Sequence, residues 1–430
     1  MPGAEHSHIT SKALGLLPDW AAASLGSDAA ALVERCCLFP DRHMDVRGSG
    51  YAEAKAYAFE IDGVPFHYLP DSPAAPGYRD YKPNDAGTAI LPPAAPPNLN
   101  WKHARAGFAH YLAAASEALR QGRTADACAN LGWLLHVLQD ATFGLHCFEG
   151  PAGGDCLVLN RFFPETAAPS ELPTAIVPAT LPFDADCAAG CAPTLLGTSV
   201  AEAVLHLYAR YARTAHRARR LCHEAVVAVK HGVAAIDAVA LAREMSGGAV
   251  AISADVLYTA ACLAAGHDGR EVQRLNHVCL SDLEPVERPC MSSHYGFVGM
   301  LRDQALDSSR RPGPLATRVD GRRKTFDKGV GLGAHYGLRL SYDIPPAVYD
   351  RFSCTLGLHS DCIGEGEIQA SLICNGATVF FATLSDAEPS VSASAANPEG
   401  LLELRLANRE GLAGKAHAVW GDPMLHKRRV

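Results

Sequence analysis

The sequence predicts two architectures in series: a mainly α-helical first part and an all-β sandwich after it. Three observations carry this. Up to about residue 270, apolar side chains recur at helical spacing between Pro/Gly-rich loops. After about Asn276 the composition changes, and from Phe326 onward short β-rich stretches alternate with Gly, Asn and Asp turns. The length, 430 residues, suffices for two or three domains, and either half can bury a core of its own.

The clearest helical pattern is Asn100–Gly144. Apolar residues recur through Phe108, Tyr111, Leu112, Ala115 and Leu119. They resume at Leu131, Leu134, Leu135 and Leu138 after a break at Gln121–Thr124. Further helical patterns run from Ser199 to Lys230 and from Val233 to Ala265. Pro/Ala-rich stretches at Pro70–Pro97 and Pro164–Pro193 read as surface excursions. In the β part, Gly337–Tyr342, Arg351–Leu358, Glu367–Cys374, Ala377–Thr383 and Leu401–Ala407 read as strands. Asn375-Gly376 is a hairpin signal between the third and fourth.

Bulk composition excludes some classes. Hydrophobic residues make up 48% and charged residues 20%, as in a globular chain. The formal net charge is −8, so no long-range attraction to polyphosphate favours general nucleic-acid binding. No transmembrane segment is expected, because runs such as Ala249–Ala265 contain Asp255 and are short. Met1–Trp20 lacks the charged start and apolar core of a signal peptide. The chain is cytoplasmic as written, or its leader has been lost. There are 14 cysteines. Cys187-x3-Cys191 is compatible with a local disulfide, a zinc clip or plain thiols.

The segment richest in chemistry is His136-Val-Leu-Gln-Asp140-Ala-Thr-Phe-Gly-Leu-His146. The i, i+4 spacing puts His136 and Asp140 on one helix face, one turn apart, so both can reach one cation. Gly144 breaks the helix and lets His146 turn back. Imidazole and carboxylate are ligands that zinc takes when water must remain bound, and a carboxylate can bridge two metals. An HxxxD pair alone is often only a surface pair. Other segments add ligand types beside turns: His8 in His6-Ser-His8-Ile, Asp41 in Phe39-Pro-Asp41 and His67 in Phe66-His67-Tyr. Singly, each reads as a cap or an ordinary histidine. In this order they form a set.

That ordered set resembles the zinc-dependent phospholipase C superfamily, which includes single-strand-specific nucleases. The H-x3-D-x5-H spacing at His136, Asp140 and His146 carries most of the resemblance, which covers residues 1–272. It implies two or three zinc ions. Asp41, His67, His136 and Asp140 would hold the first. Asp140 would bridge to another, held by His8 and the N-terminal region. His146 would hold the third with ligands from a later helix, Glu202 with His206 being the candidate pair. Two departures stand out. The chain has no tryptophan at the N-terminal position where such enzymes use one, and His6 can stand in for it. The Glu202-x3-His206 order is also the reverse of the family's, and an exposed i, i+4 pair accounts for it equally well.

The resemblance implies a phosphodiesterase. Zinc would polarise the phosphodiester and acidify a water, with Asp41 ligating and orienting or deprotonating that water. Activity would vanish with chelator and fall at acid pH as histidines protonate.

Residues 276–427 resemble carbohydrate-binding modules found on bacterial glycosidases. Cys279-Leu-Ser-Asp-Leu-Glu-Pro285, Asp327-Lys-Gly-Val-Gly-Leu-Gly-Ala-His335, Arg351–Gly357 and His417–Leu425 carry this. The resemblance implies a jelly-roll-like sandwich with a carbohydrate ligand. Tyr336, Tyr342, Tyr349 and Trp420 are available as platforms for sugar, although each reads more naturally as core. The leading expectation is therefore a zinc-dependent phospholipase C-like hydrolase with a glycan-binding module. A non-catalytic glycan-binding protein with a structural zinc domain and a zinc nuclease are the alternatives. The acidic charge weighs against the nuclease.

Overall fold

The helical periodicity read between Trp101 and Ala265 forms four long helices. In a computed structural model of the chain, the described residues are 3–61, 64–66, 101–144, 191–232, 237–266, 269–286, 300–307, 311–333, 338–362, 367–408 and 417–428. The chain divides into two units, Met1–Glu271 and Val272–Val430. The described helices of eight or more residues all lie in the first, and the extended antiparallel sheets lie in the second.

The first unit starts with α1 (Gly3–Gly15), α2 (Asp19–Ala23), α3 (Ala29–Glu34), α4 (Phe39–Met44) and α5 (Tyr51–Ala56), then a small hairpin of β1 (Glu60–Ile61) and β2 (Val64–Pro65). The long helices are α6 (Trp101–Arg120), α7 (Thr124–Asp140), α8 (Val200–His231) and α9 (Ala238–Ala265), with the short α10 (Gly269–Arg274) after them. The break between α6 and α7 is a Schellman stop. Gly122 takes φ 69°, Arg123 N–H donates to Ala118 C=O at 2.8 Å and Gly122 N–H to Leu119 C=O at 3.0 Å. α7 is buried without interruption from Ala127 to Gln139. A helix buried on all sides belongs at the centre, and α1, α3, α4, α6 and α9 pack around it.

Within α9, Arg243–Ala265 is 23 residues long and apolar enough to cross a membrane, with 72% of its apolar window buried. The apolar run is thus longer than Ala249–Ala265 alone suggests. Its burial is that of a core helix.

In the second unit, β10 (Leu338–Ile344), β15 (Gly400–Asn408), β12 (Ile368–Cys374) and β13 (Ala377–Leu384) form one antiparallel sheet in that order. The other runs β14 (Ser390–Ala396), β11 (Tyr349–Leu358), β16 (His417–Lys427), β9 (Gly329–Gly333) and β4 (Leu301–Arg302), and β3 (His277–Cys279) also pairs with β16. Asn375 and Gly376 have φ 48° and 82°, the left-handed pair that a two-residue β12–β13 hairpin needs. Two further small pairs are β5 (Ala305–Leu306) with β6 (Pro312–Gly313) and β7 (Leu315–Val319) with β8 (Arg322–Phe326). Trp420, Tyr342 and Tyr349 are all buried core side chains, so none of them is a platform open to sugar. Tyr336, the Pro70–Pro97 stretch and most of Pro164–Pro193, with Cys187, lie outside the described residues, and Cys191 is exposed.

Candidate metal centre

Three helices of the first unit bring ligand types together at the C-terminal end of α7. His136 and Asp140 stand one turn apart there, His136 buried and Asp140 part-exposed. α1 brings His6, which is completely buried. One nitrogen of each histidine and one carboxylate oxygen all lie within 4.8 Å of one another. The two oxygens of Asp140 divide the work. Oδ1 lies 3.4 Å from His6 Nε2 and Oδ2 lies 3.2 Å from His136 Nε2. Asp41, in the first turn of α4, places Oδ1 3.6 Å from His136 Nε2.

The far side of each imidazole is fixed. His136 Nδ1–H donates to the Cys37 carbonyl at 2.8 Å. His6 Nδ1–H donates to Gln139 Oε1, also at 2.8 Å. Gln139 is itself buried, and its Nε2 donates to Thr10 Oγ1 at 3.0 Å and Ser253 Oγ at 3.2 Å. The Cys37 carbonyl and Gln139 Oε1 only accept, so each Nδ1 must carry the proton. In the neutral tautomer each Nε2 then presents a lone pair to a carboxylate oxygen, and only a cation or an extra proton relieves that opposition. Backbone or amide acceptors behind the ring are the usual orienting partners of metal-ligating histidines.

Extra protons do not satisfy both rings. The imidazoles stack with centroids 3.8 Å apart and planes 13° apart. For His6, burial and then the charge of His136 push the pKa down. For His136, burial is the strongest influence and also lowers it, but Asp140, Asp41 and the Cys37 carbonyl together carry it above the usual value. The buried His6 Nε2 makes no well-formed hydrogen bond among the described residues. This donor set fits a divalent cation of the borderline class, bound by imidazole and carboxylate.

Local packing explains the convergence. A Cβ on Gly132 would lie 2.3 Å from the Cys36 carbonyl carbon and oxygen. Only glycine lets the Cys36–Leu38 turn lie this close to α7, and that turn supplies the carbonyl behind His136. Pro40 sits at the start of α4, where its missing N–H costs nothing, with Asp41 next to it.

The sequence-derived candidates fall into three groups. His136, Asp140 and Asp41 come together. His8 is exposed, and the histidine beside His136 is His6. The helix already runs at Gly3, so residues two apart point about 200° apart around its axis, and only one of them faces α7. The signal lay in the buried positions His6, Ile9, Thr10 and Ala13, which follow helical spacing. Glu202 is buried at the start of α8, where it accepts from Thr198 N–H at 2.7 Å and Thr198 Oγ1 at 3.0 Å. It also takes part in the Ser199 cap through its own N–H at 3.3 Å. That is a capping role, and the cluster among the described residues does not include it. His67 and His146 lie outside the described residues.

No protein-family profile matches the chain, and no curated protein matches it. Among solved structures, the alpha toxin from Clostridium absonum aligns over 99% of this chain and 94% of its own, at 10% identity and TM-score 0.34. A CBM51 module of Clostridium perfringens GH95, solved with methyl-galactose, aligns over 35% of this chain and 99% of its own, at 19% identity and TM-score 0.29. The M60 catalytic domain with two CBM51 domains from Clostridium perfringens ZmpB aligns over 35% of this chain but only 15% of its own, at 20% identity and TM-score 0.30. At scores this low the likenesses assign neither fold nor activity, and the site stands on its own geometry.

Proposed function

We propose that residues 1–272 form a zinc-dependent phosphodiesterase of the phospholipase C type, and that residues 276–427 form a jelly-roll-like carbohydrate-binding module. One observation carries the enzymatic reading. The two oxygens of Asp140 each meet an imidazole Nε2 whose ring is held from behind by an acceptor. Such a carboxylate suits a bridge between two cations. His6 and Asp140 would hold one, and His136, Asp140 and Asp41 the other; His67 and His146 complete the set in this reading. When bound, zinc supplies Lewis acidity toward a phosphate oxygen and acidifies water.

The protein's own groups do the rest. Asp140 and Asp41 keep 27% and 38% of their side-chain surface exposed, while His6 and His136 are buried. The centre is therefore open on its carboxylate side, as a site that must admit an ester and a water requires, and closed on its imidazole side. This favours turnover over a purely structural zinc, which has a closed ligand shell. Asp41 would accept a proton from the attacking water. The products are a phosphomonoester and an alcohol.

The test is metal content of the purified protein by mass spectrometry, with hydrolysis of a chromogenic phosphodiester before and after chelation. Two or three zinc ions per chain and chelator-sensitive turnover support the proposal. Asp140→Asn should release at least one zinc and abolish turnover. Full metal retention with full turnover in that variant would remove Asp140 from the site and end the proposal.

A further inference from the structure

We propose that the β7–β8 hairpin of the second unit is a docking element for an anionic lipid surface. Within Leu315–Phe326 stand Arg318, Arg322, Arg323 and Lys324, and Asp320 is the sole acid. All four cations are exposed, and none forms an ion pair among the described residues. This contrasts with a chain whose formal net charge is −8.

The register makes the arrangement costly without an anionic partner. Arg318 lies directly opposite Arg323, and like charges facing across an antiparallel pair are destabilising. Thr317 pairs with Lys324 and Val319 with Arg322. Because successive residues alternate faces, Lys324 and Arg322 lie on one face and Arg318 and Arg323 on the other. The tip between them is a two-residue turn, with Asp320 at φ 50° and Gly321 at φ 74°.

The base of the hairpin is rigid. Leu315 and Phe326 join a buried cluster with Ala305 and Val419. Thr317 Oγ1 donates to the Leu358 carbonyl at 2.6 Å, Ser390 Oγ to the Arg318 carbonyl at 2.7 Å, and Ser360 N–H to the Ala316 carbonyl at 2.8 Å. A narrow, held finger thus carries cations on both faces around a tight tip. A single anionic polysaccharide lying along one face would meet only half of these charges. A bed of lipid headgroups surrounds an inserted tip and meets all of them.

The test is co-sedimentation of the full chain with vesicles of phosphatidylcholine alone and of phosphatidylcholine with phosphatidylserine, at low and physiological ionic strength. Run with and without chelator, this reads binding apart from turnover and separates it from the metal centre. Binding should require phosphatidylserine and weaken with salt. Replacing Arg318, Arg322, Arg323 and Lys324 together by Ser should lower affinity by roughly several hundred-fold, at about five-fold per cation near the surface. Arg318→Lys with Arg322→Lys and Arg323→Lys should bind like the parent, because the charge and not the guanidinium fork is at work. Equal binding to both vesicles, binding insensitive to salt, or undiminished binding by the Ser variant would overturn the proposal. So would capture by a heparin matrix with no vesicle binding, which would make a sulfated polysaccharide the ligand. Should the Ser variant fail to fold, Arg322→Ser and Arg323→Ser singly should each lower affinity about five-fold, and undiminished binding in both would overturn the proposal.

Discussion

Gln139 touches no cation in the proposed centre, and its replacement by Leu should nevertheless loosen one. Its Oε1 receives the Nδ1–H of His6, and its Nε2 ties that arrangement to Thr10 and Ser253. Leu has similar volume, so packing changes little. What is lost is the acceptor that holds the His6 proton on Nδ1 and its lone pair on Nε2. Loss of such a partner costs about 10- to 100-fold in metal affinity, or about 1.4–2.7 kcal/mol. The apo protein also loses about 1–3 kcal/mol, because a buried N–H is left without a partner. Competition with a chromogenic chelator measures the first quantity, and urea unfolding of chelator-treated protein the second. Gln139→Glu keeps an acceptor on the ring and should retain parent affinity or exceed it. If Gln139→Leu lowers stability but leaves zinc affinity at the parent value, Gln139 only fills space, and the tautomer argument for His6 fails with it.

His6→Ala and His8→Ala should separate cleanly: the first is expected to lose a zinc ion and the second to stay within about 0.5 kcal/mol of the parent, as an exposed substitution does. Equal metal loss in both, measured by mass spectrometry, would return His8 to the site. Gly132→Ala adds about 1 kcal/mol of helix propensity but overpacks against the Cys36 backbone at a cost of about 1–3 kcal/mol. It should lower Tm and zinc affinity together, because the displaced turn carries the Cys37 carbonyl; a raised Tm with unchanged affinity would refute this. In the second unit, burial and then His359 lower the His417 pKa from 6.5 to about 4. The fold therefore favours the neutral ring. Its contribution is complete above about pH 6.5 and is lost as pH falls toward 4, about 3 kcal/mol in all. His417→Phe should flatten that slope, read by urea titration with hydrogen exchange of the β16 amides. An unchanged slope would assign it to other groups.

The long helices were legible because periodicity reports burial directly. Leu131, Leu134, Leu135 and Leu138 marked α7, and the Gln121–Thr124 break fell on its Schellman stop. The hairpin at Asn375-Gly376 was legible because positive φ at two successive positions selects those residues. Asp320-Gly321 carries the same signal, yet the strands beside it are short and hold Arg and Lys where alternating apolar residues would mark a strand. In the centre, His136 and Asp140 were readable because both sit on one helix. His8 was read as the ligand, with His6 only standing in for an N-terminal tryptophan, because the phase of α1, which turns His6 and not His8 toward α7, is not marked by any motif. Gly132 and Gln139 were invisible as site residues. One matters through an absent side chain and the other through a ring it orients, and neither property has a motif.

The charge state of the stacked histidines limits what the centre can be. With both rings neutral, two lone pairs oppose one carboxylate; with both protonated, two cations stack at 3.8 Å in a buried site. One shared proton relieves only one contact with Asp140. Divalent cations held between Asp140 and each ring would relieve both, without removing the Nδ1 bonds to Cys37 and Gln139. Cation binding should therefore stabilise the helical unit beyond the coordination of a surface pair, because it releases strain already present in the packed protein. The cation that His6 and Asp140 would hold ties α1, which brings His6, to α7 in this proposal. Chelation should then unfasten α1 first, and hydrogen exchange of the Ile9–Ala13 amides should rise in apo protein while those of Leu131–Leu135 stay protected. Uniform protection of both segments after complete metal removal would mean that packing alone holds α1, and the centre would be a passenger on the fold instead of one of its fastenings.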